Sequence, residues 1–314
     1  MPPIPRVPDA FRHRPFGVHE AAEAGLTRKQ LCGRSFRRLL PRVWVHVDHV
    51  MTHADWIEAA RIALTDRAEL TGITRIQALG LDFGPKRPLR FVVAGDLHID
   101  LDGVFLHRTR CLPPTDGLGV TPTSAFVSYC ANARVIDAIQ VGDWLAYHGH
   151  MSVIGLRELA ARDRWRDGAA EALWVSRYVS AAARSLPESQ VRAMAVFAGL
   201  PPPEVNERLV LHGRAVIIDL LWRRWLLAVE YEGSHHQTDR TQYLSDIDRF
   251  GLLREVGLRY LQVTKEDLAR PQSLVLRMYE YLRRGGYDGP APMFGPGWAR
   301  LFDPISASLR PRRR

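Results

Sequence analysis

The chain has 314 residues, 46% of them hydrophobic and 25% charged, which are ordinary globular values and exclude a collagen-like, low-complexity or highly charged disordered protein. At roughly 150 residues per domain the length predicts about two domains, and the greasiest stretch, Ala215 to Val229, is interrupted by Arg223, Arg224 and Asp219, so no membrane span is expected. The net charge of +9 is concentrated at the two ends: residues 1 to 50 hold nine Lys/Arg against four acids, and residues 301 to 314 hold four arginines against Asp303.

Basic ends on a nearly neutral middle predict a polyanionic partner, with nucleic acid the leading one. The amino-terminal MPPIPRVPDAFRHRPFG has early prolines, scattered charge and no apolar signal segment, so a cytoplasmic location is expected. The cysteines Cys32, Cys111 and Cys130 are odd in number and widely spaced. They predict neither a disulfide framework nor a zinc site.

From Phe16 to Val47 the spacing predicts two short helices and a hairpin. Glu20 to Ala24 is helical and closes on Gly25; Thr27 then caps a second helix through Arg28-Lys29-Gln30-Leu31 that is expected to carry Arg28, Lys29, Arg34, Arg37 and Arg38. After Pro41 and Arg42, the alternation of Val43, Val45 and Val47 with Trp44, His46 and Asp48 predicts a strand or wing. Residues 1–50 thus read as a winged helix-turn-helix whose candidate DNA contacts are Arg28, Lys29, Arg34, Arg37, Arg38 and Arg42.

Residues 51–170 read as a middle α+β region. The segment 52 to 84 is expected to be helical, strands follow at Leu89 to Val93 and Val104 to Leu106, and helical spacing resumes at Val135 to Leu145. The alternating Asp96, His98, Asp100 and Asp102 lie between glycines and read as solvated turn residues.

A third region, 171–285, is predicted as a mixed sheet flanked by helices, making the whole chain α+β, with α/β character here. A helical stretch ends at Gly199. An extended segment Val205 to Val210, a turn at His212-Gly213, and strands Ala215 to Leu221 and Trp225 to Tyr231 follow. A helix from Thr238 to about Val256 then returns the chain to the strand Arg259 to Val263, which should lie parallel to the Glu230 strand. A last helix, Gln272 to Arg284, precedes a Gly/Pro/Arg-rich tail, 286–314, expected to be mobile.

Chemistry is concentrated in Ile217-Ile218-Asp219 and Leu227-Ala228-Val229-Glu230-Tyr231-Glu232. Acids are costly inside apolar strands, and Glu230 and Glu232, two apart, share a strand face. If the two strands pair, Asp219, Glu230 and Glu232 converge, and a hard divalent cation such as Mg²⁺ or Mn²⁺ would relieve their repulsion. Taken singly, each acid has an ordinary alternative: Asp219 paired with Arg223 or Arg224, and Glu230 with Arg254 or Arg259.

This stretch resembles the restriction-endonuclease-like, or PD-(D/E)xK, nuclease superfamily, and more closely the very-short-patch-repair-like endonuclease domains grouped as DUF559. The likeness covers residues 185 to 283: Ser185-Leu186-Pro187-Glu188 with Arg192, Asp219 in Ile-Ile-Asp-Leu, Val-Glu-Tyr-Glu-Gly with His235-His236, Asp246 and Arg249, and Leu-Gln-Val-Thr. The resemblance implies Asp219 and Glu230 as metal ligands, Glu188 as an auxiliary acid, and His235 or His236 as a proton-transfer or phosphate-contacting group. It also implies a lysine where this chain has Glu232, an arrangement that some restriction enzymes share as E-x-E.

The segment from Glu20 to Leu31, followed by Phe-Arg-Arg-Leu-Leu-Pro-Arg-Val-Trp-Val, resembles the winged helix that opens AbiEi-type antitoxins. Two functions follow as expectations. The first is a double-stranded-DNA-binding protein with a Mg²⁺-dependent endonuclease domain. The second is an antitoxin-type transcriptional autorepressor with a catalytically degenerate nuclease fold, partnered by a nucleotidyltransferase-type toxin.

Overall fold

A computed structural model describes residues 8–64, 67–232 and 251–309. The fold is α+β, with three small sheets among the described residues. Among the described residues no helix is long and apolar enough to cross a membrane. The chain divides into two compact units, Met1–Ala125 and Phe126–Arg314, so the expected boundaries after residues 50 and 170 both fall inside a unit.

In the first unit, β1 (Phe16–Gly17), α1 (Val18–Glu23), α2 (Arg28–Leu31), β2 (Phe36–Leu40) and β3 (Val43–His46) form a three-stranded sheet of order β1-β3-β2 with two short helices. Phe11, Phe16, Ala21, Leu26, Leu31 and Phe36 make its core. The second helix is shorter than expected. It ends at Leu31 because Phe36 and Leu40 are buried and the chain from Phe36 pairs with β3, which places Arg37 and Arg38 on a strand rather than on the helix.

Next come α3 (His53–Leu64), β4 (Ala68–Leu70), α4 (Gly72–Gln77), β5 (Leu89–Ala94) and β6 (Val104–Thr109). The expected helix over 52 to 84 is therefore broken by β4, which pairs antiparallel with β5 and buries Leu70 in the core of Leu64, Leu89 and Phe91. Tertiary pairing overrides helical spacing there.

The second unit begins within α5 (Pro122–Cys130) and continues through α6 (Val135–Tyr147), α7 (Val153–Arg162), α8 (Ala169–Val175) and α9 (Leu186–Phe197). Four strands follow, β7 (Glu204–Leu211), β8 (Arg214–Trp222), β9 (Leu227–Tyr231) and β10 (Arg259–Val263), then α10 (Pro271–Arg284). Their order is β10-β9-β8-β7; β7, β8 and β9 run antiparallel in sequence, and β10 lies parallel to β9, as the crossover length predicts. Of the expected helix from Thr238, residues 251–255 are helical and the earlier part lies outside the described residues.

The tail is ordered through residue 309, contrary to the expected mobility. Trp298, Leu301 and Ile305 are buried, Met293 N–H donates to Ala198 O, and Val135 N–H donates to Asp303 O. Apolar anchors outweigh its Gly/Pro content. Residues 310–314, the arginine cluster, lie outside the described residues.

Asp143 of α6 is fully buried and binds Arg192 of α9 at 2.7 Å, with the Ser180 N–H on its other oxygen at 2.7 Å. Burial pushes the Asp143 carboxyl above its ordinary range, and Arg192 is the main force opposing it. Arg192 also donates to Tyr178 O at 2.7 Å, so this motif arginine is a structural tie between α6 and α9.

Three outcomes follow. Asp143→Ala should cost about 3–5 kcal/mol in urea or thermal unfolding, because it strands a buried guanidinium, whereas Asp143→Leu with Arg192→Met should cost less than either single change. Arg192→Met alone removes the main force opposing burial and raises the folded pKa of Asp143 further. Its stability deficit should therefore grow as pH rises from about 4 to neutrality, a trend the double variant lacks. A fragment beginning at Thr121 should unfold cooperatively, while one beginning at residue 171, which lacks α6, should not; the reverse result in calorimetry would return the boundary to residue 170.

Candidate functional site

The register of β8 with β9 pairs Leu220 with Val229, Leu221 with Ala228 and Trp222 with Leu227. Asp219 and Glu230 are the next residues of β8 and β9 beyond the last of these pairs, and the same register continued one step would set them opposite each other on one sheet face. The ladder ends there in a side chain. Asp219 Oδ2 accepts the Tyr231 N–H at 3.0 Å, so the carboxylate supplies the acceptor that a backbone carbonyl would otherwise provide.

Glu230 is buried, and it pairs in parallel register with Gln262 of β10. The Tyr260 O–H donates to Glu230 Oε2 at 3.4 Å from the same face. Asp219, Glu230, Tyr260 and Gln262 thus lie on one face of three adjacent strands. The apolar alternation that buries Val229, Leu261 and Val263 on the other face is what directs them there.

Glu232 lies just past β9, half-buried, with its N–H donating to Val263 O at 2.9 Å. Glu188 sits in the first turn of α9. Ser185 Oγ caps that helix by accepting the Glu188 N–H at 3.3 Å, while Glu188 Oε2 accepts from Arg184 N–H at 3.0 Å and Asn206 Nδ2 at 2.7 Å. The buried Glu188 carboxylate is thereby engaged as a tie between the helix start and β7. His235, His236, Asp246 and Arg249 lie outside the described residues. Among the described residues, no three His, Cys, Asp or Glu side chains form a metal-binding group.

The ordinary ion-pair alternative fails for Asp219 with Arg223. Arg223 is taken instead by Glu204 at 2.6 Å and Glu207 at 2.9 Å. Sequence reasoning singled out neither Asn206 nor Tyr260, and it noted Gln262 only within Leu-Gln-Val-Thr. The available signal for Gln262 was a lone polar residue inside an apolar strand; for Asn206 it was an Asn, among the non-glycine residues that best tolerate the positive φ of 51° found there.

In the first unit, Thr27 caps α2 reciprocally: Gln30 N–H donates to Thr27 Oγ1 at 3.3 Å, and Thr27 N–H donates to the Gln30 side chain at 2.6 Å. Arg28 and Lys29 stand on this single helical turn, Arg34 in the connection to β2, Arg37 and Arg38 on β2, and Arg42 in the β2–β3 turn at φ 65°. All six side chains are exposed. Arg37 and Arg38 donate to backbone carbonyls of His49 and Leu40, each at 3.4 Å, and none of the six forms an ion pair among the described residues. These six exposed cations fall within fifteen residues of one another in the sequence.

No protein family matches this chain, and no solved structure does. The chain is 28% identical over 136 residues to uncharacterized proteins of Mycobacterium tuberculosis strains CDC 1551 / Oshkosh and ATCC 25618 / H37Rv. The similarity covers 43% of this chain and 50% of theirs, so the chain spans about half the length of the curated relatives it matches.

If the six cations meet phosphates, Arg37→Ala with Arg38→Ala should weaken duplex DNA binding. The slope of log affinity against log salt should fall by about one for each phosphate that is no longer neutralised. An unchanged slope in a salt titration would remove β2 from the interface.

Proposed function

We propose that this protein binds double-stranded DNA in the cytoplasm and carries, in its second unit, a metal-dependent endonuclease site that hydrolyses phosphodiesters. The observation that carries the reading is the pair of acids at the end of the β8–β9 ladder, Asp219 bonded to the Tyr231 N–H and the buried Glu230 one residue before it, on the two middle strands of a sheet in which β10 returns parallel to β9. The element order, α9, β7, β8, β9, a crossover, then β10, agrees with the expected restriction-endonuclease-like sheet. The α1, α2 and β2–β3 elements support a winged-helix reading of the amino-terminal module.

Two carboxylates side by side, each oriented by a hydrogen-bond donor of its own sheet, suit a hard cation with oxygen ligands. Asp219 and Glu230 would hold Mg²⁺ or Mn²⁺. Such an ion supplies an activated water and stabilises the departing oxygen of the cleaved bond. The chain's own part is to fix the two acids in register, and to bring the DNA backbone to the protein through Arg28, Lys29, Arg34, Arg37, Arg38 and Arg42. Gln262, beside Glu230, is in position to donate to a phosphate oxygen.

A second reading is favoured by two specific observations: Glu188 is spent on Arg184 and Asn206, and Glu232 stands where the superfamily has lysine. On that reading the protein is an antitoxin-type autorepressor whose nuclease-like unit binds a nucleotidyltransferase-type toxin without cleaving DNA.

A plasmid-nicking assay with Mg²⁺ or Mn²⁺ separates the two. Cleavage is expected from the wild type, and Asp219→Asn or Glu230→Gln should abolish it. Asp219→Asn keeps an oxygen acceptor for the Tyr231 N–H and removes one of two neighbouring negative charges, so its melting temperature should equal or slightly exceed the wild type. Glu232→Lys should raise cleavage by restoring the superfamily's residue. Absence of both cleavage and stabilisation by divalent ions, with DNA binding intact, would move the assignment to the repressor.

A further inference from the structure

The hairpin of α7 and α8 turns through residues 163–168, Asp-Arg-Trp-Arg-Asp-Gly. The loop is clamped at both ends. Asp163 accepts from Arg166 Nε at 2.8 Å and from Arg162 Nε at 3.1 Å, and these two guanidinium groups hold its carboxyl below the usual range. Gly168 stands at φ 89°, and a Cβ there would come within 1.9 Å of Val127 O, so only glycine lets the loop seat against α5.

Between these clamps Trp165 is 60% exposed, the largest apolar side chain left in solvent among the described residues of this unit. The Arg166 guanidinium carbon lies 4.3 Å from its ring centroid. Arg164 is exposed beside it and the Arg162 side chain is 64% exposed; Asp167 is the exposed acid of the loop. An indole displayed on a braced loop adds nothing to the core of its own unit. Its flat face with flanking guanidinium groups matches a ligand that is both planar and anionic, and bases stacked inside a duplex do not offer that face.

We propose that the α7–α8 loop is a nucleic-acid contact in which Trp165 stacks on an unpaired base while Arg162 and Arg164 meet the adjacent phosphates. The contact extends the DNA-binding reading to single-stranded or locally opened substrate. It is tested apart from the β2 surface and from cleavage.

The experiment is fluorescence anisotropy of the full chain with labelled oligothymidylate, an abasic strand of equal length, and a duplex. Trp165→Ala should weaken oligothymidylate binding about tenfold while Trp165→Phe retains it, and the alanine change should have no effect on the abasic strand. Arg164→Ala should lower the salt slope on both strands. Equal oligothymidylate affinity for Trp165→Ala and wild type, or an equal loss on the abasic strand, overturns the stacking contact. A wild type that binds duplex but not oligothymidylate overturns the loop and leaves the β2 surface standing. Oligothymidylate binding that depends on Trp165, beside duplex binding indifferent to Arg37→Ala with Arg38→Ala, upholds the loop and removes β2.

Discussion

The hydrogen bond from the Tyr231 N–H to the Asp219 carboxylate is the constraint on which the acid site rests. An ionised side chain in an apolar sheet is costly unless its oxygens are satisfied, and a backbone N–H beyond the last ladder pair is equally in need of an acceptor. Each group meets the requirement of the other. Because the bond spans β8 and β9, it also holds the register that, continued one step, sets Asp219 against Glu230. A slip of β9 by one residue would turn Glu230 to the face that buries Val229 and Leu220, which the core forbids.

The same unit is held together by elements remote in sequence. Asp143 and Arg192 join α6 to α9, Trp222 Nε1 donates to Pro201 O at 2.6 Å, and Met293 in the tail bonds the end of α9 through Ala198. Cutting the chain at residue 170 would take α6 away from α9, and with it the Asp143 partner of Arg192. Glu188, at the start of that helix, is fixed as part of this framework, and its bond to Asn206 ties α9 to the edge strand β7.

Legibility in the sequence followed the range of the interaction. Gly25 and Thr27 at the α1–α2 turn, Ser185 before α9, and the apolar runs of β8, β9 and β10 could be read locally, because caps and strands declare themselves within a few residues. The parallel return of β10 followed from the length of the crossover. What could not be read locally was decided by distant partners: β4 exists because β5 pairs with it, and residues 286–309 are ordered because Trp298, Leu301 and Ile305 find a core elsewhere in the unit. For the candidate site, Asp219 and Glu230 could be read from the strand pattern. The commitment of Glu188 and the placement of Tyr260 beside Glu230 depended on packing and register.

The position of Arg37 and Arg38 bears on how the proposed DNA contact would work. A four-residue α2 is about 6 Å long, half the width of a B-DNA major groove, and leaves few side chains able to reach base edges. Of the remaining cations, Arg34 stands in the connection to β2, Arg37 and Arg38 are both exposed on that strand, and Arg42 stands on the following turn. On the proposed reading such cations would follow a phosphate backbone, and phosphates carry no direct sequence information. On the proposed reading, then, affinity at the first unit is mainly electrostatic, and base discrimination has to come from elsewhere in the molecule or from the deformability of the DNA itself.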